Sequence, residues 1–245
     1  MNKHYAATHP GKIRKNNEDS FVAEVYEDYG IYVLADGMGG YSGGEIASKV
    51  AVETSLSCLK KAIDLGQMNT ASEIKDKIKD TINRVNKKIL TLASRDESLK
   101  SMGTTIVLAV IFEDQIYYSN VGDSRLYMLR KGEILTQLTV DDTYVGKLLA
   151  DGLITEKEAE KHPQRHMLTK AVGIAKKIDT SVQEIELKKG DILLLCSDGV
   201  TNMIDDIDLQ EFLIKSKNVD TSLEVINEAN KRGGQDNITT IVIYI

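Results

Sequence analysis

Four aspartates stand at the ends of apolar runs. Ile31–Ala35 ends in Asp36-Gly37-Met38-Gly39-Gly40, and Ile192–Cys196 ends in Ser197-Asp198-Gly199. Tyr117–Val121 runs into Gly122-Asp123-Ser124-Arg125, and Arg232-Gly-Gly-Gln-Asp236-Asn237 leads into the last apolar run. Any one of these reads as a turn, because Asp-Gly favours turn conformations. As a set they are carboxylates at strand ends beside small residues. Strand ends of a sheet sandwich can converge, and clustered carboxylates repel unless cations neutralise them. Oxygen donors suit hard divalent ions such as Mg²⁺ or Mn²⁺. A glycine beside the aspartate lets a backbone carbonyl approach as a further donor.

A fifth polar group lies in Gly11-Lys-Ile-Arg14-Lys-Asn-Asn17-Glu18-Asp19-Ser20. Arg14 offers a planar fork suited to phosphate. Glu18 and Asp19 add acidic ligands or acceptors, although the segment alone reads as a polar loop. His162 and His166 read as structural or surface residues. Cys58 and Cys196 sit in apolar stretches without zinc-ligand or redox spacing, so both read as core fillers.

The elements that must position these groups fall into two strand blocks. The first comprises Tyr5–Thr8, Phe21–Tyr26 and Ile31–Ala35. The second comprises Thr105–Phe112, Gln115–Val121, Arg125–Arg130 and Glu133–Leu138. Glu113-Asp114 and Lys131-Gly132 read as hairpin turns, which makes neighbouring strands antiparallel. Thr180–Leu187, Asp191–Cys196 and Asn237–Ile245 are later strands. Between the blocks lie two helical patterns: Ile46, Val50, Thr54 and Cys58, then Ile74, Ile78, Ile82, Val85, Ile89 and Leu92. The outer face of the second carries Lys75, Asp76, Lys77, Lys79, Asp80, Arg84, Lys87 and Lys88, and the interleaved aspartates favour a solvated surface over a basic binding face. Two further helices are expected at about 206–216 and 221–231. From Val140 to Gly173 the pattern weakens. Asp141-Asp142-Thr143 can cap a short helix through Asp151, and Thr155-Glu-Lys-Glu is a capping box. The fold class is α+β, a single domain over residues 1–245 with a surface flap at about 141–172.

The charge sum is 31 − 37 = −6, which disfavours nucleic acid and anionic membrane as partners. At 42% hydrophobic and 28% charged residues, the composition excludes disorder. The longest apolar run, Ile106–Phe112, is far short of the ~20 residues a spanning helix needs. The beginning of the chain carries no apolar signal segment, and a cytoplasmic location is expected.

The motifs resemble those of the metal-dependent Ser/Thr protein phosphatases of type 2C in their short bacterial form. Matching pieces are Arg14-x-x-Asn17-Glu18-Asp19, Asp36-Gly37-Met38-Gly39-Gly40, Gly103-Thr104-Thr105, Gly122-Asp123-Ser124-Arg125, His162-Pro163 with Leu168-Thr169 and Gly173, Ser197-Asp198-Gly199, and Asp236-Asn237. The resemblance implies an α-β-β-α sandwich of two antiparallel sheets flanked by antiparallel helices. It implies two tightly bound Mn²⁺ or Mg²⁺ ions at one end. Asp36 would bridge them, the Gly37 carbonyl would bind one, and Asp198 and Asp236 the other, with Glu18 and Asp19 acting mainly through water. Asp123, with Asp198, resembles the ligands of a third, weaker ion, and Arg14 would hold the substrate phosphate. The implied reaction is hydrolysis of phosphoserine and phosphothreonine in proteins, reversing the work of a partner Ser/Thr kinase on its targets, by a monomeric enzyme.

Two positions depart from the family pattern. Met38 stands where some members place a histidine proposed as general acid. Asp141-Asp142-Thr143 stands where the flap usually begins Asp-His-Ser, which touches substrate preference. One rival reading is a regulatory or binding module with the same fold, but such a module would be expected to lose Asp36, Asp198 or Asp236. Another is a phosphatase confined to a dedicated switch, which the lack of an appended sensor domain weakens.

Overall fold

In the computed structural model, residues 3–39, 43–215 and 220–245 are described. Gly40 of the glycine-rich motif and residue 216 of the expected helix lie outside them. The strands are β1 (Lys3–His9), β2 (Asp19–Tyr26), β3 (Tyr29–Met38), β4 (Gly103–Thr104), β5 (Ile106–Phe112), β6 (Gln115–Val121), β7 (Arg125–Leu129), β8 (Thr136–Gln137), β9 (Gln183–Glu186), β10 (Ile192–Cys196) and β11 (Ile238–Tyr244). The α-helices are α1 (Gly43–Asp64), α2 (Ala71–Ala93), α3 (Tyr144–Ala150), α4 (Glu156–Glu160), α5 (Asp198–Thr201), α6 (Asp206–Lys215) and α7 (Thr221–Lys231).

Two antiparallel sheets form. One has strand order β1-β11-β10-β7-β8; the other has β2-β3-β5-β6-β9, with β4 paired to β3. The central strands are apolar on both faces because both faces are covered. Along β3, Ile31, Val33 and Ala35 pack toward α1 and α2, while Tyr32 and Leu34 face the other sheet. Along β10, Ile192, Leu194 and Cys196 pack under α5, α6 and α7, while Leu193 and Leu195 face inward. The period of two thus sorts residues into three apolar layers, giving helices, sheet, sheet, helices. Each fully buried Ile, Leu or Val contributes on the order of 1.5–3 kcal/mol of transfer free energy.

The helix α2 follows its expected stripe, with Ile74, Ile78, Ile82, Val85 and Ile89 buried. In α1 the stripe is shifted. Ala47, Ser48, Ala51 and Ser55 are buried, whereas Ile46, Val50 and Cys58 are half-buried. A helix lying flat on a sheet needs small residues along its line of closest approach, and larger ones flank it. Two strands are shorter than expected. Glu133–Leu138 contracts to β8, because the Leu135 N–H donates to the Gln210 side chain at 2.6 Å rather than to a strand. Thr180–Leu187 contracts to the edge strand β9. In the flap, Thr143 is the N-cap of α3, and Thr155 and Glu158 form the capping box of α4.

Candidate active site

Asp36 is near the end of β3, directly opposite Asp19 of β2. Its backbone is clamped from three directions. The Thr104 hydroxyl donates to the Asp36 carbonyl at 2.8 Å, the Thr105 N–H donates to the same carbonyl at 2.8 Å, and the Asp36 N–H donates to Thr105 Oγ1 at 3.0 Å. The Gly-Thr-Thr motif therefore holds the aspartate-bearing strand end in place.

Gly37 follows, and no side chain fits there. A Cβ would lie 2.1 Å from the Gly44 carbonyl oxygen and 2.5 Å from that of Glu18. The absence of a side chain lets β3, the start of α1 and the Glu18 loop meet. The Gly37 N–H donates to the Glu18 carbonyl at 3.1 Å. Gly199 plays the same part between α5 and β11, where a Cβ would lie 2.0 Å from the Asn237 carbonyl oxygen.

Asn237 staples the N-terminal loop to this end of the sandwich. Its Nδ2 donates to the carbonyls of Pro10 and Asn16 at 3.0 and 2.9 Å, and its Oδ1 accepts the Glu18 N–H at 2.8 Å. Asp19, Glu18 and Asp236 are thereby placed beside Asp36 and Asp198. Asp19 is buried, and its Oδ2 accepts from Ser197 Oγ at 2.8 Å and Thr239 Oγ1 at 2.7 Å. Its Oδ1, like Asp198 Oδ1, is buried without a partner. Asp198 Oδ2 accepts from Asn202 at 3.0 Å.

The electrostatics follow from this crowding. Burial, then Asp19, Asp198, Asp123 and Asp236, hold the Asp36 carboxyl well above the usual carboxylate range. Burial pushes Asp19 up to about 7 against the two hydroxyls that stabilise its charge. Burial, with Asp198 and Asp141, pushes Asp123 up to about 7. Asp198 is raised by burial and Asp236, and Glu18 by burial despite Arg14. Among the described residues the one cation paired directly with the cluster is Arg14, whose Nη2 donates to Asp236 Oδ2 at 2.8 Å.

These groups fit a hard divalent ion. The side-chain donors are carboxylate oxygens, two buried oxygens lack partners, and the mutual repulsion calls for positive charge. Among the described residues no three are already drawn together to hold an ion. Arg14 and Asn202 occupy Asp236 and Asp198 instead.

A cleft of about 340 Å³ opens over the cluster, lined by Arg14, Asp198, Asn202, Asp236 and, from the flap, Arg165 and His166. His166, read as a structural or surface residue, is exposed and lines the cleft, close enough to Asp198 to act on its charge. His162 does remain within the flap, its ring 5.9 Å from that of Tyr144. Local periodicity carried no sign of Arg165 and His166, because the flap returns them to the cleft over a long irregular segment. The flap is fastened at its base. The Asp142 N–H donates to the Gly122 carbonyl at 2.9 Å, Asp142 Oδ2 accepts the Gly122 N–H at 3.2 Å, and Lys170 pairs with Asp142 at 2.8 Å. Asp141 is engaged by Arg125 through both carboxylate oxygens.

A two-sheet sandwich with a carboxylate cluster and a cleft at one end defines a class, and comparison places the chain within it. The profile of the Protein phosphatase 2C family matches residues 12–233. The serine/threonine phosphatase stp of Listeria monocytogenes is 38% identical over 238 residues, covering 96% of this chain and 93% of the relative. The Streptococcus agalactiae serine/threonine phosphatase structure superposes with a TM-score of 0.89 at 35% identity, covering 100% of both chains. The catalytic domain of the serine threonine protein phosphatase PstP, solved in complex with 2 manganese ions, superposes with a TM-score of 0.85 at 30% identity over 99% of this chain and 97% of that one. The chain belongs to the protein phosphatase 2C family.

Proposed function

We propose that this chain hydrolyses phosphoserine and phosphothreonine in proteins with two Mn²⁺ or Mg²⁺ ions. The observation that carries this reading is the cluster of raised carboxyls around Asp36, with partnerless oxygens on Asp19 and Asp198. Asp36, the Gly37 carbonyl, Asp198 and Asp236 would hold the pair, with Glu18 and Asp19 beside them and Asp123 toward a third, weaker ion. When bound, such ions supply the Lewis acidity that activates water for in-line attack on phosphorus and offsets phosphoryl charge. The chain's own residues do the rest. The Gly-Thr-Thr clamp fixes Asp36, Asn237 fixes the Glu18 loop, and Arg14 is placed at the cleft to grip phosphate oxygens. Met38 carries no proton to give a leaving group. The flap, about residues 141–172, forms a subdomain bounding the substrate side of the cleft. The substrates are phosphoproteins, with a Ser/Thr kinase and its targets as partners, met by a monomeric, cytoplasmic enzyme. Among the described residues no helix is long and apolar enough to cross a membrane.

The test is metal dependence read two ways. Turnover of p-nitrophenyl phosphate should require Mn²⁺ or Mg²⁺ and vanish with a chelator; turnover indifferent to chelation overturns the reading. The second readout is thermal stability against pH. Asp19 and Asp123 ordinarily titrate near 3.8 but hold protons up to about 7 when folded. The metal-free folded chain therefore binds more protons than the unfolded chain in that window, and these groups' contribution to stability falls as pH rises through it. A divalent ion removes the cost of ionising them. Added Mn²⁺ should raise Tm more near pH 8 than near pH 5.5.

Arg14 sits on both sides of this balance. It pairs with Asp236 at 2.8 Å, and its side chain is 55% exposed. Ions that engage Asp236 would free it for phosphate. Arg14→Ala should raise KM more than it lowers kcat, the pattern of a contact made equally in ground and transition states. Metal affinity measured by calorimetry should not weaken. A kcat loss without a KM change would move Arg14 to transition-state stabilisation.

A further inference from the structure

The outer helices α1 and α2 enclose a cavity of about 160 Å³ away from the carboxylate cluster. Lys61 of α1 and Lys77, Thr81 and Arg84 of α2 line it, with Cys58 beside them and Leu65 just past the end of α1. Asp80 is its one lining carboxylate. Of the other cations on these helices, Lys75 pairs with Glu184 at 3.1 Å, Lys60 pairs with Glu24, and Lys88 donates to Thr54 at 3.0 Å, whereas Lys49, Lys79 and Lys87 lie outside the cavity lining. Among the described residues Lys61, Lys77 and Arg84 have no such partner. In a chain of net charge −6, three unpaired cations around one concavity make a local reversal of sign. The sequence pattern alone favoured a solvated face; what the fold adds is the concavity between α1 and α2 that gathers Lys61, Lys77 and Arg84.

We propose that this groove docks an acidic stretch of the phosphoprotein substrate, remote from the residue being dephosphorylated. The proposal rests on the phosphatase reading and extends it to substrate choice. Charge complementarity selects the occupant: the cations attract carboxylates, and exposed Leu65 offers an apolar contact beside them. The fold also sets a spacing. The N-terminus of α1 lies at the catalytic end, where a Cβ on Gly44 would come 2.8 Å from the Glu18 carboxyl group. Lys61 lies farther along the same helix, about 26 Å away at ~1.5 Å per residue. An extended chain at ~3.4 Å per residue needs at least about eight residues to span that. Acidic tracts nearer than this to the phosphoresidue cannot reach.

The experiment compares phosphothreonine peptides that carry a glutamate tract about twelve residues from the phosphoresidue, on either side, with peptides carrying glutamine there. Wild-type enzyme should show a lower KM for a glutamate peptide, by about tenfold at low salt, and the advantage should shrink as salt rises. The K61E/K77E/R84E variant, and K61Q/K77Q/R84Q as a milder form, should lose that advantage while turning over p-nitrophenyl phosphate normally. Cys196 is buried and Cys58 is not, so thiol labelling of the native protein reports on the groove without hydrolysis. A non-phosphorylated glutamate peptide should slow labelling of Cys58. Equal KM values for the glutamate and glutamine peptides overturn the proposal, as does an advantage that survives the triple substitution. Protection of Cys58 by inorganic phosphate as strong as that by peptide also overturns it, in favour of a small-anion pocket. Loss of p-nitrophenyl phosphate turnover in the wild type would instead strike the phosphatase reading, and Cys58 protection would still decide the groove.

Discussion

Asp36→Ala should lower turnover by roughly a thousandfold or more and leave a folded protein, because removing the central carboxylate forfeits several kcal/mol of divalent-ion catalysis. The two halves of this result have separate causes. Asp36 receives the charge of Asp19, Asp198, Asp123 and Asp236, and its carboxyl is held far above its usual range. Deleting it relieves repulsion in the metal-free state. Its backbone stays held by Thr104 and Thr105 through bonds that do not involve the side chain. The metal-free Tm should therefore hold steady or rise near pH 8, while the Mn²⁺-induced rise should collapse. Asp198→Ala should behave likewise in activity, with weaker metal binding in a calorimetric titration. A folded Asp36→Ala protein with wild-type turnover would refute the placement of the site.

Much of this site was legible because its parts lie at strand ends, where alternation breaks and Asp-Gly appears. Asp36 and Asp198 could be found that way, and their convergence followed from sandwich geometry. What was not legible depended on partners far away in the chain. Thr104 and Thr105 stood out only as a motif; their role appears once β4 lies against β3 and their hydroxyls meet Asp36 and its neighbours. Ser197 stood out only as part of a motif and Thr239 only as one position of a strand, yet both hydroxyls converge on Asp19. The same holds for the fold. The stripe of α2 is wide and apolar, so periodicity located it. The face of α1 is chosen by close approach to the sheet, which favours Ala47 and Ala51 over the larger Ile46 and Val50. Cys58, read as a core filler, lines the groove for the same reason. Asp142, a departure from the family pattern, has an account only in three dimensions: its carboxylate accepts the Gly122 N–H of the turn between β6 and β7 and pairs with Lys170.

That junction bears on Asp123. Asp123→Ala should leave the tight ion pair bound yet reduce turnover by about tenfold to a hundredfold, the range expected when a supporting metal-site group is lost. The residue sits in the turn between β6 and β7, beside Gly122, and the plain alternative is that its carboxylate merely stabilises the turn. Its surroundings argue otherwise. Burial, Asp198 and Asp141 push the carboxyl up to about 7 against its own backbone N–H and Arg125. An aspartate serving a turn is stabilised as an anion by the N–H groups it accepts from; this one is destabilised as an anion. Near pH 8, removing it from the metal-free protein should leave Tm unchanged or higher, whereas the turn reading requires a lower Tm with near-normal specific activity. The turn itself is secured without it, through both backbone groups of Gly122 to Asp142. Because Asp142 is also the root of the flap, an ion held weakly at Asp123 and Asp198 would couple metal concentration to flap order. Limited proteolysis within residues 141–172 should thus vary with Mn²⁺ in the wild type and lose part of that dependence in Asp123→Ala. A destabilised but fully active variant would return Asp123 to an ordinary turn and leave two ions at the site.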